Sequence, residues 1–177
     1  MRYSVSTITG VPGDTDSQRA TQIGFICQLC TLSPVHANLP VQRIVSQLNS
    51  PMTVGQYKIY FNDFCQCVGY LSWAYLAPDV EKRLLSGEDY HLQTCEWNEG
   101  ANLWIMDLVF PHGSIKHVLQ DLRDNLFKDF ETLTYFRIKN GKRIFKRVSR
   151  ADGGYFFRSS QSRVQAPESA PLEAMPA

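Results

Sequence analysis

Two residues far apart in this chain are of the types that acyl-transfer chemistry uses. His36 lies in a proline-flanked loop, Ser33-Pro34-Val35-His36-Ala37-Asn38-Leu39-Pro40, and Asp107 interrupts the apolar run Leu103-Trp104-Ile105-Met106-Asp107-Leu108-Val109-Phe110-Pro111. The run reads as a buried strand, where an unpaired carboxylate is expensive. A histidine from elsewhere in the chain is a candidate partner, and a paired His–Asp can activate a nucleophile for acyl transfer. Imidazole titrates near neutral pH and can take a proton from an attacking nucleophile, while the carboxylate fixes its tautomer and favours the imidazolium that forms. Ser33, three residues before His36, is a turn or cap residue that could also enter such a site. His91, His112 and His117 are not spaced as a ligand set.

The elements that must position these residues follow from the periodicity. Ile23, Phe25, Ile26, Leu29 and Leu32 predict a first helix ending at Ser33-Pro34, and Val41, Ile44, Val45 and Leu48 predict a second, starting at Pro40 and stopped by Asn49-Ser50-Pro51. Residues 56–61 and 65–75 read as two strands turning at Asn62-Asp63. A short helix around Val80–Leu85 and a polar loop lead to the strand that carries Asp107. Ile115, Val118, Leu119, Leu122, Leu126 and Phe127 mark an amphipathic helix. Asn140-Gly141 predicts a hairpin between strands 132–138 and 143–149. Such an order gives an α+β fold, a mixed central sheet covered by helices. Residues 1–18 are expected as a flexible leader, 19–157 as one domain and 158–177 as a disordered tail.

Composition bounds the function classes. A chain of 177 residues with 44% hydrophobic and 12% aromatic content can bury one core, and its net charge of +1 gives no general footprint for nucleic acid. No stretch approaches the roughly 18 apolar residues of a membrane span, and the amino terminus lacks a signal-peptide core, so a cytoplasmic protein with reduced thiols is expected. Cys27 and Cys30 fall within an apolar helical run, and Cys65 and Cys67 share a strand face, which reads as core rather than as a zinc site. Lys139, Lys142, Arg143, Lys146, Arg147 and Arg150 form a basic stretch, either a solvated hairpin face or a surface for an acidic partner.

The ordered set Ser33-Pro34-x-His36-x-x-x-Pro40, Tyr70-Leu71-Ser72-Trp73-Ala74 and Trp104-Ile105-Met106-Asp107 with Pro111 resembles the toxin-activating lysine acyltransferases, which fatty-acylate RTX toxins, over residues 20–150. The resemblance implies a GNAT-like acyltransferase fold and His36 and Asp107 as catalytic residues, His36 as general base or transient acyl carrier. It further implies support from Ser33, a possible contact from Arg137, an acyl carrier protein thioester as donor, no bound cofactor, an RTX protoxin as acceptor, and a homodimer. The absence of an Arg/Gln-x-x-Gly-x-Gly/Ala loop for the coenzyme A pyrophosphate agrees with a carrier-protein donor. Ala37 and Leu39 stand where the family tends to carry a basic residue and tryptophan, so chain length and target are expected to differ. Two other readings remain open: a GNAT-like CoA-dependent N-acyltransferase, and a non-catalytic toxin-binding chaperone.

Overall fold

The computed structural model describes residues 6–10, 15–86, 91–111, 115–139 and 142–152. Its elements run β1 (Ser6–Thr9), α1 (Asp16–Thr31), α2 (Val41–Val54), β2 (Tyr57–Phe61), β3 (Cys67–Leu76), α3 (Pro78–Leu85), a 3-10 turn at Cys95–Trp97, β4 (Asn102–Val109), α4 (Lys116–Asp121) continued by a π turn at Leu122–Leu126, β5 (Thr132–Lys139) and β6 (Lys142–Ser149). The strands make one mixed six-stranded sheet in chain order. All neighbours are antiparallel except β4 and β5, a parallel pair held only at Trp104↔Thr134 and Ile105↔Tyr135. Parallel neighbours need a crossover, and α4 supplies it. This is the expected α+β architecture, and it is compatible with a GNAT-like arrangement.

Side-chain alternation divides the core between the two faces of the sheet. On one face Tyr57, Ile59, Phe61, Tyr70 and Val109 pack against Ile26, Leu29 and Cys30 of α1 and Ile44, Leu48 and Met52 of α2, and Ala74, Leu76 and Trp104 continue that face under Val80 and Leu84 of α3. On the other, Tyr60, Leu71, Trp73, Leu103, Ile105 and Leu133 pack against Val118, Leu119, Leu122 and Phe127. Burying a large aliphatic or aromatic side chain contributes about 1.5–3 kcal/mol, so both layers are strongly fixed to the sheet. Trp73, Trp104 and Tyr70 are all core residues, at 4%, 0% and 1% exposure.

Four local differences from the sequence reading have physical reasons. Ser6–Thr9 pairs with β2 as an edge strand, inside the stretch expected as a flexible leader. Helix α1 starts earlier than its apolar stripe because Thr15 and Gln18 make a reciprocal capping box. Helix α2 runs through Pro51 to Val54; the Pro51 carbonyl accepts from Gly55 and Gln56, and Gly55 ends the helix at φ 70°, a conformation that suits glycine. Cys65 is not in a strand: it is exposed in the β2–β3 turn at φ 57°, and β3 begins at Cys67. The expected carboxy-terminal tail and the Asn140-Gly141 tip lie outside the described residues, although Lys139↔Lys142 closes the predicted hairpin register.

Candidate active site

The histidine loop is shaped by its backbone. Leu32 ends α1, and the Ser33 amide donates to the Cys30 carbonyl. The Ser33 carbonyl then accepts from the amides of both His36 (3.0 Å) and Ala37 (2.8 Å), and Leu39 N–H donates to His36 O. Pro34 has no N–H to compete, and Pro40 sets up the start of α2, its carbonyl accepting from Arg43 and Ile44. This tight turn places the Ser33 side chain, three residues before the imidazole, alongside it.

Asp107 reaches the same place through an irregularity in β4. Trp104 and Met106 point to the face of α3, whereas Leu103 and Ile105 point to that of α4. Strict alternation would send Asp107 towards α4, away from His36. The β3–β4 register shifts there: Ser72 pairs with Asp107 and Trp73 with Ile105, so Met106 is an extra residue. A one-residue bulge reverses the phase of a strand. Asp107 is thereby turned to the α1–α2 face, and Leu108 and Val109 follow the new phase.

Together these devices make a linear array. Ser33 Oγ lies 2.9 Å from His36 Nδ1, and His36 Nε2 lies 3.1 Å from Asp107 Oδ2. Asp107 Oδ1 accepts the Leu108 N–H at 2.8 Å. A carboxylate accepts only, so Nε2 carries the proton towards Asp107, and Nδ1 is left to accept from the Ser33 hydroxyl. The imidazole side chain is 12% exposed and the carboxylate 33%, which makes the pair reachable from solvent. The hydrogen bond to Asp107 raises the His36 pKa above its ordinary value against the opposing effect of burial. Cys30, beneath the loop, is no competing nucleophile: burial, with Asp107 nearby, pushes its thiol up to about 12.

Three of the four residues picked out by sequence are therefore brought together. Arg137 is not: it is exposed on β5, two residues beyond Tyr135 on the α4 face, and takes no part in the hydrogen bonds joining Ser33, His36 and Asp107. Of the basic stretch, Arg150 donates to the carbonyls of Arg123, Phe127 and Phe130 and caps the end of the α4 segment, and Arg147 bonds Glu81 and Thr134. Arg143, which lies over the Phe136 ring, and Lys146 are exposed. Among the described residues, no group of three or more His, Cys, Asp or Glu side chains could hold a metal ion, and no helix is long and apolar enough to cross a membrane.

Comparison with known proteins decides the family. The model of the RTX toxin acyltransferase family matches residues 15–151, which include the whole Ser33–His36–Asp107 array. The chain belongs to that family. Its relatives include the lysine-acyltransferase RtxC of Vibrio cholerae, 25% identical over 68% of this chain and 79% of that protein. The Synechocystis protein sll0720 is 29% identical over 70% of this chain and 84% of its own length. The protein-lysine palmitoyltransferase CyaC of Bordetella bronchiseptica is 33% identical over half of this chain and 47% of its own. Two features of the site escape a reading of the sequence. The bulge at Met106 carries no glycine or proline to mark it, and Ser72, within a segment that reads as core, stands opposite Asp107.

Proposed function

We propose that this chain is a protein-lysine acyltransferase that moves a fatty acyl group from an acyl carrier protein thioester to internal lysine ε-amines of an RTX protoxin, with His36 and Asp107 as the reacting pair. The observation that carries the reading is the histidine held between Ser33 and Asp107 inside a family-matched domain. The names of the relatives, lysine-acyltransferase and protein-lysine palmitoyltransferase, support the acceptor and the kind of acyl group.

The chemistry asked of the site is proton removal. At neutral pH only about one lysine in 2,500 is uncharged and nucleophilic. Nε2 is committed to Asp107, so Nδ1 is the ring atom available to take the amine proton, directly or through the Ser33 hydroxyl. The ammonium loses two protons: the first leaves through Nδ1 to solvent and frees the amine, and the second is taken by Nδ1 as the C–N bond forms and passes to the departing thiolate as the C–S bond of the thioester breaks. An acyl group carried transiently on the histidine would occupy the same Nδ1 atom. Asp107 stabilises the imidazolium in either route. The raised pKa of His36 makes it the stronger base, and the half-open setting of the pair leaves room for a macromolecular lysine. Exposed Arg137, Arg143 and Lys146 give the β5–β6 hairpin a positive surface suited to an acidic carrier. A cytoplasmic setting, expected from the sequence, and a homodimer, implied by the family resemblance, complete the reading.

The test is intact-mass spectrometry of RTX protoxins co-expressed with the chain, or with its His36→Ala variant, in cells that supply acylated carrier protein. The expected result is a fatty acyl mass gain on lysine, reduced about 10²–10⁴-fold in rate by the substitution, the loss typical for a general base. No gain on several protoxins, or equal gain with His36→Ala, overturns the reading.

A further inference from the structure

The reacting array leaves one segment without a role. Ser72 and Tyr70 of β3 lie on the face to which the bulge turns Asp107, and Ser72 is the direct cross-strand partner of Asp107. Such partners share a face, with Cβ atoms about 4.5–5.5 Å apart. Ser72 is 2% exposed and Tyr70 1%, and burial raises the Tyr70 phenol against the opposing effect of the Ser72 side chain beside it. On the same face of β3, Ala74 and Leu76 follow as apolar core residues. Packing alone would be met by an apolar side chain at 72; a buried hydroxyl there brings a desolvation cost that only a polar task offsets.

We propose that Ser72 and Tyr70 are positioning residues, a buried hydroxyl pair forming the seat on which the Asp107 carboxylate is held towards His36. The inference rests on the reading of His36 and Asp107 as the reacting pair. Asp107 follows directly on the bulged Met106 and is a third exposed, so its carboxylate needs something to hold it inward rather than towards solvent. A polar, uncharged floor favours the inward rotamer without offering a competing cation. The groups facing the pair fit that description: Cys27 and Cys30 from α1, Tyr57 from β2 and Tyr70 from β3. Burial, with Asp107 beside them, pushes the Cys30 thiol up to about 12 and raises the Tyr70 phenol, so both stay neutral where histidine titrates.

The experiment follows the His36 Cε1–H resonance through a pH titration, the signal being assigned by its loss in His36→Gln. The proteins are wild type, Ser72→Ala, Tyr70→Phe, Asp107→Asn and the Ser72→Ala/Asp107→Asn double variant. The raised midpoint should fall in Asp107→Asn, fall part-way in Ser72→Ala and Tyr70→Phe, and move no further when Ser72→Ala is added to Asp107→Asn. In acyl transfer the two β3 variants should lose about tenfold in kcat, with KM unchanged, as expected for a displaced reacting group. Unshifted midpoints in both β3 variants, or the same increment with and without the Asp107 carboxylate, overturn the proposal in favour of plain packing. A shifted titration in a protein that acylates no protoxin upholds the seat and rejects the assigned reaction instead.

Discussion

The two faces of the sheet each set a carboxylate against a basic side chain, and the two pairs differ in what surrounds them. On the α4 face, Asp121 Oδ2 accepts from Lys58 Nζ at 2.7 Å and from the Tyr60 hydroxyl at 2.9 Å, while Oδ1 accepts from Asn125. On the α1–α2 face, Asp107 accepts from the Leu108 amide and from a histidine whose other nitrogen is bonded to a rotatable hydroxyl. The first carboxylate is given three side-chain donors, so it ties β2 to α4. The second is given a partner that can gain and lose a proton, and more exposure, 33% against 22%. Three side-chain donors mark the clamp; a histidine whose second nitrogen meets a rotatable hydroxyl marks the other pair.

The comparison breaks most visibly at the clamp. Lys58→Met should cost about 3 kcal/mol, the lower end for removing one partner of a buried pair, read as a fall of roughly 6–12 °C in Tm for a domain of this size. The acyl-transfer rate per folded molecule should be unchanged. The pH dependence has a definite sign. Burial pushes the Asp121 carboxyl up, but hydrogen bonds from Lys58, Asn125 and Tyr60 bring it below the usual carboxylate range. A depressed carboxyl stabilises the fold above its unfolded pKa, roughly 3.9, and that contribution is lost as pH falls through the folded value. Lys58→Met should therefore flatten the acid side of the stability profile. A variant as stable as wild type would show that this pair is no clamp.

Asp107→Asn is the matching change on the other face and should cost about 10²-fold in acyl transfer (~2.7 kcal/mol), with little loss of Tm. An amide can still accept from Nε2, but it supplies no charge for the imidazolium. Because Asp107 holds the His36 pKa up, its loss should move the acid limb of the rate profile to lower pH. The stability sign is opposite to that of the clamp. A histidine with a raised pKa stabilises the fold below its unfolded value, roughly 6.5, and the contribution fades as pH rises through the folded one. An acid limb that stays in place in Asp107→Asn would remove Asp107 from the reaction.

How much of this was legible in the sequence differs between the faces. His36 and Asp107 stood out because a proline-framed histidine and a carboxylate in an apolar strand are costly unless used. The clamp went unnoticed because Lys58 and Tyr60 alternate with Tyr57, Ile59 and Phe61, a pattern that also fits a half-solvated strand, and Asp121 sits on the polar side of a short helix. The face they occupy is covered only because α4 crosses over it, and that is a matter of topology. The bulge at Met106 was illegible for a related reason: it arises from the pairing of two strands, and neither strand alone encodes it. Arg137 comes from the family resemblance alone, and β5 carries it exposed on the α4 face.

The smallest expected effect tests the exposed hairpin, where neither kind of burial operates. Arg147 and Arg150 are committed to Glu81 and to backbone carbonyls, so reversing their charge would damage the fold and say little about a partner. Arg143 and Lys146 are exposed, and Arg143→Glu/Lys146→Glu should leave the stability within about 0.5 kcal/mol of wild type, as surface changes usually do. If the hairpin steers an acidic carrier, the double variant should raise KM for the acyl carrier protein several-fold at low salt. The difference should shrink towards 0.15 M salt and above, where the screening length falls below about 8 Å. Steering acts on encounter and not on proton transfer, so kcat at saturating donor should not move. A change in kcat with KM intact would place these residues nearer the chemistry than the geometry does; no change in either would leave the hairpin a solvated edge.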